Sequence, residues 1–290
     1  MDKAQELQWI RRRKRKNAIF HALFFLSTLV GVVALLMLLV DVLQKGLPWL
    51  DWQFLARFAS RLPERAGIKA ALVGTVYLML MIAPLTFVIG VATAIYLEEY
   101  AKESKLSRII QTNISNLAGV PSIVYGLLGL TLFVRLLGFG RSLLAGALTM
   151  TLLVLPIIIV SAQEAIRAVP MHQRHASYAL GANRWQTVTR VVIPSAFPGI
   201  LTGVILALSR AIGETAPLIV IGAVAFTAFL PESVFDGFTA LPIQIYNWAS
   251  MPQKAFEELS AAGIIVLLVL LLGMNSAAIL LRNKFRKKHE

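Results

Sequence analysis

The chain has 290 residues, 57% hydrophobic and only 15% charged, with a mean hydropathy of +0.72. Such values exclude an ordinary soluble domain and fit a polytopic membrane protein. A formal net charge of +13 does not indicate nucleic acid here, because the basic residues lie in short segments beside long apolar runs and form no soluble face with polar readers.

The chain opens on a basic segment, "RRRKRK" at 11–16, followed by an apolar run from about 18 to 43. That run is too long for the apolar region of a signal peptide and has no small-residue cleavage site after it, so it is read as a retained first span. Crossing ~30 Å of hydrocarbon takes roughly 20 apolar residues. Six segments qualify: 19–43, 72–97, 115–137, 143–163, 196–225 and 261–282. The third contains Pro121, Gly126 and Gly129. Pro121 fits either a re-entrant break or a helix start with proline in its first turn. Gly126 and Gly129 would allow a neighbouring helix to approach closely.

Lys and Arg set the orientation. With the N-terminus inside, the inner segments hold seven, three, four and five of them, 19 in all, against 8 outside. Both termini are therefore expected on the cytoplasmic side. The external loop at 44–71 is itself basic, and "WLDWQFLARFASRLPERAG" within it reads equally as a short helix on the membrane surface or a solvated loop.

Several chemistries are absent. There is no cysteine, which excludes disulfide frameworks and thiolate sites. His21, His172, His175 and His289 show no metal-ligand pairing, and no glycine-rich run ends in Gly-Lys-Ser or Gly-Lys-Thr. The chain is read as non-catalytic, with no metal and no cofactor of its own.

The inner loop between the fourth and fifth spans, residues 164–195, is too polar to cross and more patterned than a connector. Apolar residues recur at helical spacing on either side of Gly181, a natural C-cap and change of direction. Asn183 is placed to cap the second segment, and Pro194 to end it and start the next span. The result is a helix–turn–helix on the cytoplasmic face. Ala176–Ser177, Gly181, Val191, Ile193 and Pro194 keep every spacing of the pattern Glu-Ala-Ala, three residues, Gly, nine residues, Ile, one residue, Leu-Pro. In this the chain resembles the permeases of bacterial ABC importers. His175 departs from the pattern, standing where the family usually has glutamate.

Further stretches resemble the phosphate-specific (Pst) permeases, and among them the PstA-type subunit: "GIKAALVGTVYL" at 67–78, "YLEEYAKESKLSRIIQTNISNLAGVPSIVYGLLGL" at 96–130, "LSRAIGETAPL" at 208–218 and "LPIQIYNWASMP" at 241–252. The resemblance implies an all-α, six-span permease of the type I ABC importer fold in a bacterial inner membrane. It divides the chain into a basic N-terminus (1–18), a first span with its external loop (19–66), a permease core (67–282) and a basic tail (283–290). It also implies a homologous PstC-type permease, two PstB-type ATPases using ATP and Mg, and an external phosphate-binding protein as partners. His175, Ala176, Ser177, Leu180, Gly181, Ala182, Trp185 and Pro194 would then form the coupling contact with an ATPase.

Arg210 and Glu214 lie inside the fifth apolar run, where charges are costly and usually face protein or water. Four apart on a helix, they can pair. Ser209 and Thr215 add hydroxyls beside them, and Pro217 is expected to bend the helix. Three readings are open: a structural pair at a subunit interface, a proton relay, or a path in which Arg210 meets the passing oxyanion. The resemblance favours the path. Sulfate, molybdate or phosphonate are alternative oxyanions, and a stand-alone secondary transporter or channel and a signalling scaffold are rivals of other classes.

Overall fold

The structure, a computed structural model, describes residues 3–102, 104–223 and 227–286. Among them every regular element is helical. The first is α1, Lys3–Gly46, which runs unbroken through the expected boundary at residue 18. At ~1.5 Å per residue its 44 residues reach about 66 Å, twice the hydrocarbon thickness, so the basic start projects as helix beyond the span. Apolar side chains from Ile19 to Val40 are exposed along it, as a lipid-facing helix requires, and only its far end, at Val42 and Gly46, is buried.

The helix α3, Lys69–Ile95, continues through a π turn at Tyr96–Tyr100. The helix α6, Leu143–Arg167, is the core element, packed against α3 on one side and against α9, Ile193–Gly213, on another. Met150, Val154 and Ile158 of α6 are fully buried with Ile82 and Ala94 of α3 and Ile200 of α9. The last span, α12, Lys254–Arg286, runs antiparallel to α1: Ala261 and Ile265 near its start cover Val42. Residues 287–290 of the basic tail, His289 among them, lie outside the described residues.

Among the described residues five helices are long and apolar enough to cross a membrane, and a bent helix pair makes a sixth if the pair is taken as one span. It joins α4, Lys105–Leu117, to α5, Ser122–Gly129, whose helix continues as a π turn to Leu136. The two meet at 104°. The expected span at 115–137 therefore starts at Pro121, which acts as the N-cap of α5 with extended ψ of 135°. A residue before proline is pushed out of the α region, so the chain turns here. The elbow is held by the Tyr125 hydroxyl, which donates to the Leu117 carbonyl at 2.9 Å.

The loop at 44–71 is more structured than either expectation. It contains a short helix, α2, Trp52–Ala56, capped by Asp51, whose carboxylate accepts from the Phe54 amide. Phe54 packs on Trp248 of α11, Leu241–Ala249, with ring centres 5.9 Å apart, forming a second core with Leu241, Phe256 and Leu259. Trp49 adds an indole N–H to Glu258 at 3.0 Å. Trp52 is left 80% exposed.

Candidate functional site

The fifth span breaks where its charges lie. Helix α9 ends at Gly213, Glu214 has extended ψ of 125°, and a separate helix, α10, covers Ala216–Ile221. A bend at Pro217 was expected within one span at 196–225; the break instead precedes the proline, and residues 224–226 at the end of that range lie outside the described residues. Proline supplies the reason. In an uninterrupted helix its ring would meet the carbonyl of Gly213, four residues back, whereas in the first turn of α10 its missing N–H is harmless.

Arg210 sits in the last turn of α9, where a cation suits the negative end of the helix dipole. Its Nε donates to Glu214 Oε1 at 3.1 Å. The Arg210 side chain is 51% exposed and Glu214 only 16%. Among the described residues neither terminal nitrogen of Arg210 has a protein partner, so its planar fork faces open space while Glu214 holds it from one side. Ser209 is placed beside this pair by a second helix: its hydroxyl lies 2.7 Å from the Ile205 carbonyl and 2.6 Å from Asn275 Oδ1 on α12. Two helical turns inward, Arg282 of α12 donates to Thr202 Oγ1 of α9 at 3.2 Å. Thr215 makes only a long contact, 3.5 Å, to the Gly213 carbonyl.

The cytoplasmic loop is a helix–turn–helix. Its first helix, α7, covers Met171–Ala179, and Gly181 then turns the chain with φ +82°. Asn183 and Gln186 form a reciprocal capping box at the start of α8, Arg184–Thr187. Ser177 and Thr187 join the two helices through a 2.9 Å hydroxyl contact. Pro194 does not end the second helix, contrary to expectation. A π turn at Val188–Val192 carries α8 into α9 as one helix, with Pro194 in the first turn of α9.

Seen from outside, His175, Ala176, Leu180, Gly181 and Trp185 are exposed, Leu180 to 89% and Trp185 to 66%. Ser177, Ala182 and Pro194 are half-buried. Ala176, Ser177, Leu180, Gly181 and Ala182 line an open groove of about 670 Å³ between the two short helices. Exposed leucine and tryptophan beside a rigid turn make a surface suited to another protein.

The sequence pattern of the binding-protein-dependent transport system inner membrane component family matches residues 86–287. The chain belongs to this family. A curated relative, phosphate transport system permease protein PstA 1 of Mycobacterium tuberculosis strain H37Rv, is 36% identical over 280 residues, covering 93% of this chain and 89% of the relative. PstA of Xylella fastidiosa strain Temecula1 is 34% identical, covering 94% and 96%. Two solved structures share the fold: a bacterial alginate ABC transporter (TM-score 0.65, 14% identity, 91% of this chain and 93% of that one) and the inward-facing MetNI methionine ABC transporter (TM-score 0.61, 20% identity, 73% and 94%). This family member is thus a multi-pass inner-membrane permease of the type I ABC importer fold.

Four residues of the permease escaped the sequence reading. Asn275, which meets Ser209, is a lone amide in an apolar run, and only its intramembrane position could have flagged it. Glu98 and Glu99, adjacent acids at the inner end of the second span, reach the end of α6 and the helix–turn–helix respectively. Arg174 points inward and is buried, unlike its exposed neighbour His175.

Proposed function

We propose that this chain is one of two homologous permease subunits of an ATP-driven importer of inorganic phosphate. The observation that carries this reading is the Arg210 guanidinium, tethered through Nε and open at both terminal nitrogens beside the broken end of α9. A guanidinium is permanently charged and presents a fork that matches an oxyanion in two places. Glu214 positions it and competes with the anion, so the anion binds and is released. Relatives named as phosphate permeases, at 34–36% identity over more than nine-tenths of the chain, support phosphate as the anion.

Energy comes from outside the chain. One of two PstB-type ATPases, which hydrolyse ATP with Mg, would dock at the groove formed by Ala176, Ser177, Leu180, Gly181 and Ala182, with His175 and Trp185 at its edges, and the other at the partner permease. A PstC-type permease would complete the path, and an external phosphate-binding protein would deliver the anion to the outer loops. Because α8 continues into α9, a push on the loop reaches Arg210 along a single helix.

Phosphate uptake in cells lacking their own high-affinity system tests the reading, with pull-down of the ATPase as the assembly control. Arg210→Gln is expected to assemble and to abolish uptake. Unchanged uptake by that variant, or loss only through failed assembly, would place the path elsewhere. Competition by sulfate, molybdate and phosphonate in the same assay identifies the anion.

A further inference from the structure

Three successive residues at the inner end of α3 grip the end of α6 and the helix–turn–helix. Glu98 accepts from Arg167 at the end of α6, at 2.7 Å, and from the Gln163 amide at 2.8 Å. Glu99 accepts from Arg174 of α7 at 2.9 Å. The ring of Tyr100 lies under the guanidinium of Arg184, the first residue of α8, at 5.3 Å. All three belong to the π turn that ends the second span. The middle contact is the most enclosed, with both side chains about nine-tenths buried.

Arg174 has a second task. Its guanidinium also donates to the carbonyls of Ile166 and Val169 at the end of α6. Ile166 lies in the last turn of α6 and Val169 just beyond its end. One planar cation therefore joins the end of α6, α7 and α3, and Glu99 neutralises it. An isolated charge at this depth is costly, though the Ile166 and Val169 carbonyls keep Arg174 partly satisfied when Glu99 is neutralised.

We propose that Glu99 and Arg174, supported by Glu98 and Arg167, are positioning residues that fix the coupling loop to the second span, so that the ATPase stroke enters two spans at once. It enters α9 through the continuous helix and α3 through the buried pair. The proposal rests on the reading that this loop docks an ATPase. A loop attached to α9 alone could swing about the end of α6; the pair removes that freedom and turns a swing into a joint displacement of α3 and α9. Adjacent acidic residues at the end of an apolar helix thereby acquire a role that their own segment does not explain.

The test uses the assembled transporter in liposomes with its partner permease, ATPase and binding protein. Labelled phosphate uptake and ADP production are measured together. Glu99→Gln is expected to keep its ADP production while phosphate moved per ATP falls about ten-fold, an ordinary magnitude for coupling between sites. Unchanged phosphate per ATP in Glu99→Gln overturns the proposal. Should that variant fail to assemble, the native pair is left intact and the chain's lack of cysteine is used instead. Spin labels at Lys102→Cys, just beyond α3, and Tyr178→Cys, exposed on α7, report whether the two move together. The distance between them is expected to stay the same with and without ATP, and a nucleotide-dependent change overturns the proposal. Ala176→Asp, on the exposed groove, separates the two claims. If it leaves ATPase binding intact, the docking reading fails; if it abolishes binding while Glu99→Gln is neutral, only the grip on α3 fails.

Discussion

A Cβ placed on Gly126 would lie 2.8 Å from the Cα of Pro217 and 2.9 Å from the Cβ of Val220. Helix α5 and the short helix after the break thus meet backbone to backbone, at the point where the span carrying Arg210 and Glu214 has been interrupted. The contact lets α5 support α10, which is too short to hold its place alone. Gly126→Val is expected to force the two apart and to destabilise the protein by about 1–3 kcal/mol, as overpacking does. A fall in the thermal midpoint of the purified complex checks it; an unchanged midpoint together with normal uptake would show that the contact is slack.

Glu214 is the more enclosed member of its pair and Arg210 the exposed one. Neutralising Glu214 frees the guanidinium for the anion. Glu214→Gln is accordingly expected to lower the KM for phosphate uptake about two- to five-fold, in keeping with a half-exposed pair worth up to about 1 kcal/mol. The maximal rate should fall with it, because release becomes slower. A raised KM would mean that the carboxylate holds Arg210 in place and does not compete with the anion.

At Gly181 the cost of a side chain is separable from crowding. No atom lies within 4 Å of a Cβ built there, yet φ is +82°. Gly181→Ala should destabilise the turn by about 1–2 kcal/mol through backbone strain alone. Gly181→Asn should be milder, since asparagine enters this region more readily. ATPase pull-down read across the three proteins is expected in the order glycine, asparagine, alanine; equal capture by all three would show that docking does not need this turn.

Asn275 joins α12 to α9 through Ser209. Asn275→Leu is expected to weaken the permease by about 1 kcal/mol, within the range for hydrogen bonds between membrane helices. The Ser209 hydroxyl keeps the Ile205 carbonyl as its acceptor, which limits the loss. Chemical denaturation in detergent measures it. A loss of uptake without any change in stability would instead assign Asn275 to the path.

Much of this architecture was legible along the chain. The apolar runs located the five long spans and the bent pair, because hydrocarbon leaves few alternatives to a helix about 20 residues long. The helix–turn–helix was readable because its determinants are local: Gly181 for the left-handed turn and Asn183 for the cap. The pairing of Arg210 with Glu214 followed from a spacing of four. What spacing alone did not locate was the start of α10, since proline at 217 fits either a kinked helix or a new first turn, and packing against Gly126 goes with the second.

Other features depended on which helix covers which. The 104° elbow before α5, the approach of Asn275 to Ser209 and the grip of Glu99 on Arg174 join residues far apart in the chain. Hydropathy does not distinguish a face turned to lipid from one turned to another helix, since both surroundings are apolar. The sequence by itself therefore determined the spans, their direction and the local turns that chain chemistry dictates. Only the tertiary structure decided which polar side chains meet across helices, because a buried ion pair such as Glu99 with Arg174 forms only once packing has removed water from around both.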